Sequence, residues 1–215
     1  MQQLVFQMLK KEEYLLSLRN GIYIMKGVKI FLADGFEDCE ALAVNDVLRR
    51  GGVDVELVGI SDEPFVQSSH GVTVGIECNL SELDLLSHGG TGAKDFMIFP
   101  GGMPGSSSLA ACKLLVKAMQ AHYDAGGSLA AICAAPGLVL SQLKDIEGLE
   151  FTCFDGFEDK LEAKGAVRRR LPAVRCGRII TGRSAGWAIE FGLEILCAIK
   201  GEETAAKVRH AMFLD

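Results

Sequence analysis

The chain lacks any run of apolar residues approaching the roughly 18 that a membrane-spanning helix requires. It is also short of positive charge: 22 Lys and Arg stand against 28 Asp and Glu, for a net charge of −6. No basic cluster exceeds Arg168-Arg169-Arg170, whereas a nucleic-acid surface needs a basic stripe or patch; that class is set aside and the triplet is read as a solvated loop or strand end. Seven cysteines occur without a single C-x-x-C pair, and their odd number argues against a disulfide framework and against a zinc site. The expectation is reduced thiols in a cytoplasmic protein. A phosphate-cradling Gly-rich signature is missing, as are internal repeats and low-complexity tracts. Histidines number four: His70 in a hairpin, His88 in a Gly-rich loop, His122 on an exposed-looking helix and His210 on the last helix. Each is read as a surface histidine, with His70 the one that a dimer partner could bring to a site.

What is present is enough chain for one core without staples. Residues 1–24 are apolar but interrupted by Lys10-Lys11-Glu12-Glu13, unlike the uncharged centre of a secretory signal. Met25-Lys26-Gly27-Val28-Lys29-Ile30 reads as a charged flank entering a first buried strand. We therefore expect an N-terminal extension over 1–24, outside a single domain spanning 25–215. Strand and helix signals alternate from there: strands at 28–33, 53–60, 95–100, 128–132, 150–154, 173–176 and 178–181, and a hairpin between 65 and 78. Helices are expected over 40–50, 107–125, 185–200 and 202–212. Near-continuous apolar strands separated by helices predict an α/β fold: a doubly wound, mostly parallel, flavodoxin-like sheet with helices on both faces.

In such a sheet the functional crevice lies beyond the carboxyl ends of the strands, where the winding reverses. Three segments fall there: 35–40, 101–105 and Cys133. Cys133 sits in Ser128-Leu129-Ala130-Ala131-Ile132-Cys133-Ala134-Ala135-Pro136-Gly137, an apolar run that breaks into a small-residue turn before a helix. That is the outline of a nucleophile elbow, which tolerates only small residues two places either side of the central one; Ala131 and Ala135 comply. A helix starting at Ala134 would aim unpaired N–H groups at the sulfur and lower its pKa. The alternative is a small buried hydrophobe, which is the reading for the other six cysteines.

The segments Ala33-Asp34-Gly35-Phe36-Glu37-Asp38-Cys39-Glu40, Phe99-Pro100-Gly101-Gly102, Ala130 to Pro136 and Thr181-Gly182-Arg183-Ser184-Ala185-Gly186 together resemble the ThiJ/PfpI family, within the class I glutamine amidotransferase-like superfamily. The branch is that of the human parkinsonism-associated protein and its bacterial relatives, and the likeness runs from about Lys26 to the C-terminus. It implies that Cys133 is the elbow nucleophile and that Glu40 is a protonated carboxyl donating to the sulfur. A carboxyl buried beside a thiolate has its charged form disfavoured by desolvation and by like charge, and the pair titrates jointly. Without the resemblance Glu40 reads equally as a helix-start carboxylate.

The resemblance further implies an oxyanion site built from the N–H groups of Gly102 and Ala134, where a glycine pair otherwise merely turns the chain. It places Arg183 near the site to hold an anionic oxygen, against the alternative of a structural ion pair. A histidine that follows the elbow cysteine in some relatives is Ala134 here, and another that lies some twenty residues on is replaced by Phe151-Thr152-Cys153-Phe154. A Cys-His-Asp triad is therefore disfavoured, and peptidase and amidotransferase activities with it. Cys153 and Cys39 are candidate resolving thiols, with packing as the alternative.

Two readings remain. One is a glutathione-independent glyoxalase or deglycase that acts on a small aldehyde or dicarbonyl such as methylglyoxal, without metal or cofactor, as a homodimer. The other is a redox-sensing or chaperone-like protein in which Cys133 is oxidised without turnover.

Overall fold

The computed structural model describes residues 25–83 and 91–215; the expected extension over 1–24 and His88 lie outside them. In chain order the elements are β1 (Val28–Leu32), α1 (Asp38–Arg50), β2 (Val55–Gly59), β3 (Phe65–Gln67), β4 (Thr73–Gly75), β5 (Cys78–Asn79) and β6 (Phe96–Phe99). There follow α2 (Gly105–Ala111), α3 (Lys113–Asp124), β7 (Ser128–Ile132), α4 (Ala135–Leu138), β8 (Glu150–Phe151), α5 (Asp159–Glu162) and β9 (Val167–Arg168). The chain ends with β10 (Ala173–Cys176), β11 (Ile179–Gly182), α6 (Ala188–Lys200) and α7 (Glu202–Ala211). None of the described helices is long and apolar enough to cross a membrane.

The apolar runs become strands covered on both faces: every residue of β1, β6, β7 and β11 is buried. Successive side chains on a strand point to opposite faces. Ile30 and Leu32 accordingly pack with α1 and α6 in one cluster, while Phe31 and Ala33 join α2, α3 and α4 in the other. The main sheet has the order β10-β11-β7-β6-β1-β2-β5. All its pairings are parallel except that of β10 with β11. This is the flavodoxin-like, mostly parallel α/β sheet with helices on both faces. The chain winds outward from β1 to β2 and then returns to β6 on β1's other side, so the reversal falls between β1 and β6. The loops after β1 and β6 meet there, beside the turn after β7.

The helix expected over 107–125 is two helices. The chain turns at Cys112, whose ψ of 94° is extended. On one continuous helix Leu109 and Leu115 would point about 120° apart; the break lets both enter the same buried cluster. The strand expected over 150–154 is only β8, paired in parallel with β9 outside the main sheet. The β3–β4 hairpin forms as expected, with Val66 opposite Val74.

Two charge readings are corrected. Arg168 is not solvated: its side chain is nine-tenths buried and ion-paired with both Asp155 and Glu158, at 2.5 Å in the latter case. His122 is not on an exposed face. It is fully buried, with Nε2 3.1 Å from the carbonyl of Asp95 and 3.2 Å from that of Ser128. Two acceptors around one ring nitrogen require Nε2 to carry the proton, so the imidazole stitches the starts of β6 and β7 together in its neutral form. Burial holds its pKa below the usual 6.5. His122→Leu, which removes that donor, is expected to cost about 1–3 kcal/mol in urea unfolding near neutral pH. Because the unfolded chain takes up the proton near 6.5 and the folded chain resists it, the stabilisation is present above that pH and is lost below it. The gap between wild type and variant should therefore narrow as the pH is lowered through 6 to 5.

Candidate active site

Cys133 stands between β7 and α4 in the left-handed region, with φ 65°, a conformation that costs a residue bearing a Cβ about 1–3 kcal/mol. Both of its backbone polar groups are held. The N–H donates to the carbonyl of Gly182 at 3.0 Å and the carbonyl accepts from Phe154 N–H at 2.9 Å. Ala131 and Ala135 are fully buried, as the crowding of an elbow demands. The N–H groups of Ala134 and Gly102 are directed at the Cys133 sulfur.

Glu40 reaches the same point from α1. Glu37 caps that helix, its carboxylate accepting Glu40 N–H at 2.8 Å. The helix therefore begins two residues earlier than expected, and Glu40 lies within its first turn, 1% exposed. Its Oε2 accepts Gly101 N–H at 2.7 Å, while the Gly101 carbonyl accepts Glu37 N–H at 3.0 Å. Oε1 finds no partner at hydrogen-bond geometry, although it is buried; the Cys133 thiol is the side chain that faces the carboxyl.

Gly101 is the residue that sequence reasoning passed over in favour of its neighbour. A Cβ there would lie 2.4 Å from Glu40 Oε2 and 2.7 Å from Cys133 Cβ, so only glycine lets the two functional groups meet. The Pro-Gly-Gly signal marked the loop without saying which glycine served which purpose. Gly102 has φ 88°, and its own Cβ would strike Glu37 N at 2.3 Å.

Desolvation raises the Glu40 carboxyl to about 7, against the opposing pull of the hydrogen bonds it accepts. For Cys133 the expectation of a lowered pKa is overturned. Burial first, then the adjacent carboxylate, push the thiol up, and the amides of Ala134 and Gly102 offset this only in part. The physical reason is that the sulfur is buried beside a carboxyl, and α4, with only four residues, is a short helix to set against that. Near neutral pH the pair has room for one negative charge, and with the thiol pushed up that charge falls on the Glu40 carboxyl.

Arg183 follows the Gly182 that holds Cys133, and its guanidinium lies 3.7 Å from Asp155. Asp155 also pairs with Arg168, whose neighbour Glu158 completes the network. Cys153 is fully buried in the core, its thiol pushed up to about 12 by burial. Cys39 is exposed, and Glu37 raises its pKa. His70 is bound to Asp38 at 2.7 Å in the hairpin turn. His210 is exposed at the C-terminus, 2.6 Å from Asp215. Among the described residues one grouping has metal-ligand chemistry: Glu37, Asp38 and His70, with ligand atoms within 4.8 Å of one another. Its atoms are already engaged with Glu40 N–H, Ser68 and each other.

The DJ-1/PfpI family model matches residues 26–198. Protein DJ-1 homolog A of Arabidopsis thaliana is 33% identical over 189 residues, covering 88% of this chain; the chain spans about half (47%) of that relative's length. The glutathione-independent glyoxalase DJR-1.2 of Caenorhabditis elegans is 32% identical over 167 residues, covering 78% of this chain and 84% of that one. The crystal structure of a DJ-1 superfamily protein from Salmonella typhimurium superposes with a TM-score of 0.78 at 26% identity, over 88% of this chain and 98% of that chain.

Two outcomes test the site as a physical object. Since folding raises the Glu40 pKa from 4.5 to about 7, wild-type stability must fall as the pH rises through that interval. Glu40→Gln should gain about 3 kcal/mol over wild type in urea unfolding at pH 8.5, and nothing at pH 4. Gly101→Ala should lose about 1–3 kcal/mol at either pH, because its methyl group collides with buried atoms that cannot retreat.

Proposed function

The chain belongs to the DJ-1/PfpI family, and from that premise we propose that it converts small 2-oxoaldehydes such as methylglyoxal to 2-hydroxy acids, without glutathione and without a metal or organic cofactor. The observation that carries this reading is the buried Glu40 carboxyl, its Oε1 without a hydrogen-bond partner, set against the Cys133 thiol. A glyoxalase needs a sulfur nucleophile and one group that can both take and return a proton, and here the two are a single shared-proton unit. The similarity to the glutathione-independent glyoxalase of Caenorhabditis elegans supports the same chemistry.

The Cys133 sulfur attacks the aldehyde carbon while its proton passes to Glu40, and the resulting oxygen is held by the Gly102 and Ala134 amides. Glu40 delivers that proton to the oxygen, which completes a hemithioacetal. The carboxylate then removes the hydrogen on the former aldehyde carbon as a proton and returns it to the adjacent ketone carbon, while the hydroxyl proton of the first carbon passes to the oxygen of the second. The first carbon is thereby oxidised to a thioester as the second is reduced to an alcohol, so no external electron acceptor enters. Water, deprotonated by Glu40, cleaves the thioester and frees the thiol and the hydroxy acid. The role we assign to Arg183, just beyond Gly182 and 3.7 Å from Asp155, is to receive the product carboxylate. No histidine is needed in this sequence of steps.

Lactate formation from methylglyoxal, followed by proton NMR in buffer free of thiols and primary amines, checks the proposal. Wild type should turn over, and Cys133→Ser and Glu40→Gln should each lose at least 100-fold in kcat. The singly charged form of the pair is the reactive one, so kcat/KM should rise with pH through about 7. Protein with verified reduced Cys133 and no turnover would sink the enzyme reading. The redox-sensing alternative would then be pursued by mass spectrometry of the Cys133 sulfinate under peroxide, where Glu40→Gln should lower the yield.

A further inference from the structure

Eight large apolar side chains stand exposed among the described residues, and three of them grow from the loops that carry the site. Met103, 52% exposed, follows the Gly102 whose amide faces the Cys133 sulfur. Phe154, 47% exposed, donates its backbone N–H to the Cys133 carbonyl. Trp187, 40% exposed, lies two residues past Ala185, whose backbone amide faces the Glu40 carboxyl. Single exposed hydrophobic residues need no explanation, but three carried on loops whose backbones touch one reactive pair have the composition expected of a ligand site's apolar lining.

Two of these side chains have neighbours that hold them, and the third stands on an ordered turn. The Phe154 ring packs edge-on against Phe157 at 6.4 Å, and the Phe157 backbone rests on Gly137 of α4, leaving no space there for a Cβ. The Ser107 hydroxyl is 3.5 Å from the Met103 sulfur, and a thioether adapts well to aromatic rings. Trp187 closes a 3-10 turn by donating its N–H to Ser184 at 2.8 Å.

We propose that Met103, Phe154 and Trp187 form a specificity rim that selects 2-oxoaldehydes bearing an aryl or comparably bulky apolar group over glyoxal and methylglyoxal. This rests on the function proposed above for Cys133 and Glu40, and it adds the substrate class. Burying a phenyl ring against such a rim acts mainly on binding, since the rim touches no reacting atom, so its effect belongs in KM.

The test compares initial rates for phenylglyoxal and methylglyoxal in wild type, Met103→Ala and Phe154→Ala. Expected are a kcat/KM at least tenfold higher for phenylglyoxal, and variants that lose about tenfold on phenylglyoxal through KM while methylglyoxal stays within twofold. Equal values for the two substrates, or truncations that change both alike, overturn the rim. A second readout needs no turnover. Trp187 is the only tryptophan in the chain, so its fluorescence reports on the rim directly. Titration with mandelate, the hydroxy acid from phenylglyoxal, should give a saturable quench that lactate does not and that Phe154→Ala weakens. A flat mandelate titration overturns the rim even if aldehydes are turned over. A saturable one upholds it even if the proposed turnover fails.

Discussion

The left-handed backbone at Cys133 is the constraint on which the site depends. An L-residue leaves that conformation unless its surroundings over-determine it. Here they do, because both polar groups of its backbone are hydrogen-bonded to segments far away in sequence, Gly182 at the end of β11 and Phe154 beyond β8. Those partners stand still because β11 and β7 are paired in register, Gly182 opposite Ile132. The strain is thus carried by the sheet, and the consequence is a cysteine held just past the end of β7, beside the crevice where the winding reverses.

What meets the sulfur there is set by close approach. Gly101 has its N–H on Glu40 and its carbonyl on Glu37, so the loop after β6 and the first turn of α1 are buttoned together at one residue. No side chain intervenes between Glu40 and Cys133 because none fits. The result is a carboxyl that has lost its water and gained little in exchange. Desolvation therefore dominates its protonation and brings its pKa into the range where it can exchange a proton at neutral pH. The same burial raises the thiol, so desolvation dominates the protonation of both members of the pair.

Much of this was legible in the sequence. The apolar runs at 28–33, 95–100 and 128–132 contain the fully buried strands β1, β6 and β7, and the alternation of strand and helix signals specifies a parallel sheet because a helix between strands is the long crossover that parallel pairing needs. The elbow was legible from the small residues around Cys133, since steric crowding leaves a compositional trace. Less legible were features whose cause is remote. The break at Cys112 carries no Gly or Pro; it exists because Leu109 and Leu115 are claimed by one cluster. His122 carries a polar side chain at a helical position, and nothing nearby in sequence says that two carbonyls across the sheet await its proton. Arg168 looked solvated as one of three arginines, yet it is enclosed by Asp155 and Glu158 of the loop that follows β8.

By itself the sequence determined the fold class, the residue at the elbow and the segments that converge on it, because these follow from periodicity, steric tolerance and strand topology, which are local or nearly so. The tertiary structure decided the chemistry of the meeting point. It showed that Gly101 is the residue whose missing side chain admits Glu40, that the thiol is pushed up where a helix dipole was expected to pull it down, and that Arg183 faces Asp155. Each of these depends on burial and on distances between groups far apart in the chain, and desolvation is a property of the assembled surroundings that no residue carries on its own.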